Sequence, residues 1–229
     1  MATKTIVYAF LFFVSHLSVS GQTYVGVRAG ANFFKADWKS FGTRYKTKFT
    51  PGYHFGTVVT TPLQISKRQL FVQPGLFFTT KGYSEDYVDE VYGDATFTAS
   101  PQYLEVPLNF LYLVPSRNDK NIFVGFGPYA ALGIGGQWDI KLKPKGRFVG
   151  DLEYVDLTAQ DDEDEKFNYG RKLDYGVNVL LGYELFDRIQ VQLNGQIGLR
   201  NIAPLNNKKT TGETFRNMGI GLSVGYTFE

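Results

Sequence analysis

Cysteine is absent from the 229 residues, so no disulfide can staple this chain and its stability must come from a core or a hydrogen-bonded ladder. Histidine is nearly absent too: there are two, His16 and His54, which leaves no His/Cys cluster for a transition metal. Net charge is only +2, which gives no basis for binding nucleic acid or another polyanion. Beyond residue 22 no apolar run is long enough for a membrane-spanning helix, and the 3.6-residue period of an amphipathic helix is missing as well.

What is present starts with an export signal. Lys4 precedes the apolar run Ile6 to Val14, and Ser18, Ser20 and Gly21 follow as small residues, the layout of a secretory leader. Cleavage is expected just before Gln22. The chain then divides into a leader, 1–21, and one domain, 22–229.

That domain alternates. In IQVQLNGQIGLRN (189–201), Ile189, Val191, Leu193, Ile197 and Leu199 share one face while Gln190, Gln192, Asn194, Gln196 and Arg200 share the other. Eight such segments are expected as strands: Tyr24 to Asn32, Gly52 to Thr61, Leu70 to Lys81, Gln102 to Val114, Ile122 to Gln137, Leu173 to Leu185, Ile189 to Arg200 and Asn217 to Phe228. Their connections alternate between long and short, the asymmetry of an outer-membrane barrel with extracellular loops and periplasmic turns.

The face opposite the aliphatics is crowded with small residues. Gly219, Gly221, Ser223 and Gly225 oppose Met218, Ile220, Leu222 and Val224, and Gly125, Gly127, Ala131, Gly133 and Gly135 do the same in the fifth segment. Glycine weakens a strand and is kept where space is short. The aliphatics are therefore expected to meet lipid, and the amides a narrow lumen. A soluble barrel of the lipocalin kind would need a charged outer face, whereas the few charges here (Arg28, Glu105, Asp174, Glu184, Arg200) are of both signs. The expected fold is all-β: an eight-stranded antiparallel up-and-down transmembrane barrel.

Eight strands enclose a lumen just wide enough for its own side chains. Its expected polar network comprises Arg28, Glu105, Asp174, Asn178, Glu184, Gln190, Gln192, Asn194, Gln196 and Arg200. Folding the last two long segments before the C-terminal one about Asp187 sets Asn178 opposite Gln196, Glu184 opposite Gln190 and Asp174 opposite Arg200. The last two are expected to form a buried ion pair near the outer rim, so that Arg200→Ala would cost about 3 to 5 kcal/mol. Pro74, Pro107 and Pro128 fall within strands, where bulges are expected to absorb them.

Three motifs point to chemistry, and each has a plainer reading. GFGPYA (125–130) matches a Gly-x-Gly-x-x-Ala nucleotide fingerprint, but no helix follows it. His54 is a lone histidine on the inward face without a nucleophile motif. DDEDE (161–165) lacks the spacing of a calcium loop and reads as a solvated acidic loop. No catalytic residue, cofactor or metal is expected, although a lipid- or peptide-modifying enzyme built around His54, a narrow channel and a secreted ligand carrier remain alternatives. The loops carry opposed charge: counting Lys and Arg against Asp and Glu, residues 33–50 have five against one and residues 82–99 none against five. Neighbours of opposite sign are expected to fold over one another and close the outer mouth.

With this pattern the chain resembles the PorT-like outer-membrane β-barrel family of diderm bacteria along the whole mature sequence. The matching pieces are GVRAGANF (26–33), PGYHFG (51–56), YLEVPLNFLY (103–112), VGFGPYAALG (124–133), DYGVNVLLGYEL (174–185) and GIGLSVGYTF (219–228). The resemblance implies a small integral barrel of the outer membrane that serves as scaffold or partner-binding subunit, with outer-membrane lipid around it and envelope or secretion-system proteins as partners. Some relatives take part in type IX secretion. Glu229 departs from the terminal aromatic usual in such barrels.

Overall fold

A computed structural model describes residues 23–63, 69–91, 93–114, 122–143, 145–155, 167–186, 188–206, 209–210 and 212–228. The leader and its cleavage point, the acidic run 161–165 and the fold point Asp187 lie outside these residues.

Period-2 alternation gives strands throughout. They are β1 (Tyr24–Ser40), β2 (Thr43–Tyr45), β3 (Lys48–Pro62), β4 (Leu70–Thr80), β5 (Tyr83–Asp89), β6 (Gly93–Val114) and β7 (Ile122–Leu142), followed by β8 (Arg147–Tyr154), β9 (Phe167–Gly170), β10 (Leu173–Phe186), β11 (Ile189–Gly198), β12 (Leu205–Asn206), β13 (Lys209–Thr210) and β14 (Thr214–Phe228). Twelve of them join in one sheet, and β12 pairs with β13 separately.

The ladder returns on itself. Going round, β1 pairs with β3, β3 with β4, β4 with β6, β6 with β7, β7 with β10, β10 with β11, β11 with β14, and β14 with β1, all antiparallel. Closure leaves the long strands without a free edge. We call the end where β1 begins and β14 finishes the terminal rim, and the opposite end the loop rim.

Several long strands outrun their expected limits, because a connection that would leave its backbone groups bare instead prolongs the ladder. β1 continues to Ser40 and β7 to Leu142. The expected loop 82–101 is largely a hairpin, β5 against the start of β6, with Tyr83 opposite Ala99 and Asp89 opposite Gly93. β8 turns back along β7 and then pairs in parallel with β9, so it stays outside the closed circuit.

Side chains sort by parity. On β14, Ile220, Leu222 and Val224 are each more than half exposed, while Asn217 and Ser223 are buried. Exposed aliphatic and aromatic side chains such as Val27, Phe55, Phe126, Val179, Leu193 and Ile197 continue round the outside. So contiguous an apolar skin exceeds what a soluble monomer shows to water. Polar residues fill the inside, and glycine supplies the clearance: a Cβ at Gly182 would lie 2.0 Å from Phe123 Cζ.

The prolines behave differently from expectation. On the β4–β6 ladder Pro74 faces Leu108 and Phe77 faces Glu105 in one unbroken register, and Pro107 faces Tyr129 with no shift before Phe110 faces Phe126. Rungs are skipped beside them, but no bulge forms there. The strand tolerates the missing N–H because the neighbouring rungs hold the register.

Candidate functional site

The inside of the ring is stacked in three levels. At its centre the Lys81 ammonium follows β4 into the lumen, with no exposed side-chain surface. It lies 2.9 Å from Glu105 Oε2 on β6 and 3.3 Å from Asp174 Oδ2 on β10. The Tyr129 hydroxyl donates to Asp174 Oδ2 at 3.3 Å and the Asn217 amide donates to the same oxygen at 3.1 Å. Three rings surround the ammonium, with Tyr129 the nearest at 4.3 Å from Nζ to its centroid. Gln196 Nε2 donates to Glu105 Oε1 at 3.0 Å and to Asn178 Oδ1 at 2.9 Å.

Arg28, also buried, donates to Gln73 Oε1 at 3.3 Å, and Gln73 in turn donates to Thr60 Oγ1 at 2.9 Å. Among the buried described residues the cations Arg28 and Lys81 balance the carboxylates Glu105 and Asp174. Between the Lys81 cluster and an apolar layer of Leu111, Phe123 and Leu180 lies a chamber of about 50 Å³, room for a few water molecules.

Of the residues assigned to the lumen, Arg28, Glu105, Asp174, Asn178, Gln192 and Gln196 are buried. Asn178 faces Gln196 and Glu184 faces Gln190 across β10 and β11 as expected. Glu184 and Gln190 sit near the terminal rim, where Gln190 Nε2 donates to Thr227 Oγ1 at 3.0 Å. Gln192 is buried, and half-buried Asn194 packs against Gly221.

Arg200 departs from expectation. β11 ends at Gly198, and the Arg200 guanidinium lies 5.8 Å over the ring of Tyr175, which is 47% exposed on the outer face. Asp174 turns instead to Lys81. Arg200→Ala is accordingly expected to cost less than about 1 kcal/mol in a denaturant titration, not the loss of a buried pair. Sequence reading missed Lys81, although parity could have found it: directly after β4, it continues the inward set Gln73, Phe77 and Thr79.

The loop rim is closed by aromatic packing. Tyr103, Tyr169, Leu152, Ile202 and Phe215 form a buried cluster with Tyr154 and Phe97 against it. Tyr154 and Tyr169 meet edge to face at 5.9 Å, and Tyr169 meets Phe215 at 5.4 Å. The Tyr169 hydroxyl donates to Asn217 Oδ1 at 2.9 Å, which ties this plug to the Lys81 cluster. Backbone bonds fasten it to the rim: Gly133 N to Lys172 O at 2.7 Å, and Arg171 N to Ile202 O and Ile202 N to Phe215 O at 2.8 Å each. Gly133 is needed there, since its Cβ would lie 2.3 Å from the Tyr154 ring.

The oppositely charged segments 33–50 and 82–99 touch at an ion pair. Lys48 on β3 pairs with Asp86 on β5, and the Ser40 hydroxyl at the end of β1 donates to Glu213 Oε1, just before β14, at 2.8 Å. The hydrogen bonds from Lys48 and Thr96 hold the Asp86 carboxyl below its usual range. A depressed carboxyl contributes stability at neutral pH, and that contribution fades as acidification protonates Asp86.

GFGPYA runs through the middle of β7 with no helix after it. His54 is wedged beside Gly30, with its ring centroid 6.1 Å from that of Phe77. No described group of three or more acidic or histidine side chains could hold a metal.

A closed antiparallel ring with a packed interior that holds buried polar side chains, and with an apolar exterior, defines a membrane β-barrel, and among the described residues no helix is long and apolar enough to cross a membrane. The chain belongs to the outer membrane protein beta-barrel domain family, whose model matches residues 18–203. It is an outer-membrane β-barrel protein. No curated protein matches it significantly. Among solved structures it is similar to Neisserial surface protein A, at 10% identity, TM-score 0.42 and coverage of 89% of this chain and 97% of that one. It is also similar to Ail of Yersinia pestis (11% identity, TM-score 0.40, 92% and 100% covered) and to OprG of Pseudomonas aeruginosa (11%, 0.42, 91% and 97%).

Proposed function

We propose that this protein is an eight-stranded, up-and-down transmembrane barrel, with its terminal rim in the periplasm and its hairpins outside, that works as a scaffold or partner-binding subunit. It is neither a channel nor an enzyme in this reading. The observation that carries it is the obstruction of the lumen at three levels: the aromatic plug, the Lys81 cluster, and the Leu111, Phe123 and Leu180 layer. A path blocked by ion-paired and close-packed side chains does not pass solute. What faces the outside is a rigid set of hairpins, the usual place for recognition on such a scaffold.

Purified protein in planar bilayers is expected to give no stepwise conductance; a reproducible unitary conductance would overturn the reading. The partner follows from the PorT-like resemblance, which points to an envelope assembly such as the type IX secretion apparatus. Cross-linking in the native envelope should then recover an envelope protein through the hairpins 40–48 or 83–99.

A further inference from the structure

We propose that the outer face of β1 and β14 carries a docking site for the phosphorylated headgroup of an outer-leaflet lipid, formed by Lys35, Lys39 and Arg216. The proposal rests on the transmembrane reading above and adds a specific lipid contact to it.

Parity places all three side chains on the outside. Lys35 and Lys39 continue the outward set of β1 that includes Val25, Val27 and Phe33, and Arg216 continues that of β14, with Ile220 and Leu222. Arg216 stands directly opposite Asp37, midway between the two lysines. With a strand spacing of about 4.8 Å and a rise of about 3.4 Å per residue, each lysine Cα lies about 8 Å from that of Arg216. Long side chains can converge from such a triangle on one phosphate.

These cations are uncompensated. The carboxylate among them, Asp37, is engaged by Arg44, whose Nε and Nη2 donate to Oδ1 at 3.0 and 2.6 Å. Among the described residues none of Lys35, Lys39 and Arg216 forms a salt bridge. Lys35 instead rests its ammonium 4.9 Å above the ring of Phe49.

Their height fits a headgroup. Between Val25 and Lys35 the outward positions of β1 are apolar: Val25, Val27, Ala29, Ala31 and Phe33. At a strand tilt of about 40° those ten steps climb about 26 Å, close to the ~25 Å apolar band of an outer-membrane barrel. Lys35 is thus the first charge above the hydrocarbon, where an anionic headgroup sits. The acidic hairpin that carries Glu85 and Asp86 is separated from β1 by β3, and its Asp86 is already paired with Lys48, so the three cations stay available to an anion.

The test uses full-length mature protein in phosphatidylcholine nanodiscs doped with diphosphoryl lipid A or with its dephosphorylated counterpart, and reads retained lipid by native mass spectrometry. The wild type should retain the phosphorylated lipid about tenfold over the dephosphorylated one, and Lys35→Gln/Lys39→Gln/Arg216→Gln should retain both about equally. Lys35→Arg/Lys39→Arg should keep the preference. Equal retention by wild type and triple variant would overturn the proposal, and so would full displacement of the lipid by inorganic phosphate, which would mark a site for the free ion. Heat-dependent gel mobility, expected of wild type and variant alike, separates the two readings: a wild type that never inserts overturns the barrel and this site together, whereas an inserted wild type without phosphate preference overturns this site alone.

Discussion

Lys81→Met is expected to lower the unfolding free energy by about 3 to 5 kcal/mol, the largest loss among single substitutions away from the wall of the barrel. The reason is what it leaves behind. Glu105 and Asp174 both turn to the Lys81 ammonium, and Asp174 is completely buried. Removing the cation strands two carboxylates in a lumen too narrow to hydrate them fully. The methionine itself fills nearly the same volume, so packing changes little. Lys81→Met/Glu105→Gln/Asp174→Asn should therefore recover most of the loss, because neutral amides can keep the bonds among Asn217, Tyr129 and Gln196 without an unpaired charge. Chemical unfolding in detergent, followed by heat-dependent gel mobility, measures both variants. Equal stability of wild type and single variant would show that the ammonium is not the keystone of the lumen.

Tyr154→Ala/Tyr169→Ala is expected to release the plug while the ring below it stays closed. Tyr169 is 4% exposed and meets three further rings, and the Tyr154 hydroxyl donates to the Gln102 carbonyl at 3.1 Å. Truncating a buried aromatic costs about 3 kcal/mol or more, which corresponds to over a hundredfold faster opening of the segment it holds. The amides of Val155, Arg171 and Ile202, which bond to Gly170, Ile202 and Phe215, should lose that much hydrogen-exchange protection. Amides of the β10–β11 ladder should keep theirs, since their partners are independent of the plug. Conductance should stay nil, because the Lys81 cluster and the apolar layer still block the path. Unchanged protection at Ile202 would mean that the backbone bonds alone hold the rim shut.

Much of the architecture was legible because a strand has a period of two. Parity assigned the faces, and once the turn near residue 187 was placed, the pairs Asn178–Gln196 and Glu184–Gln190 followed by counting. Export and the acidic run 161–165 are also sequence readings, and they fall outside the described residues. The loops were harder to read. Hairpins such as β5 with β6 alternate no more clearly than a polar linker, and their pairing is set by the strands they extend.

The chain by itself determined which side chains point inward, which point outward, and that small residues line the inside, since each of these is settled by local alternation and volume. Tertiary structure alone decided which inward charges meet. Lys81 directly follows β4 and Asp174 lies on β10, strands that are not ladder neighbours, and they touch because a narrow closed ring brings separate walls within reach of one long side chain. Arg200 was the nearest candidate along the ladder, but β11 ends two residues short of it and lets it turn outward. Distance across a lumen depends on closure and curvature, which appear only once the whole ring stands.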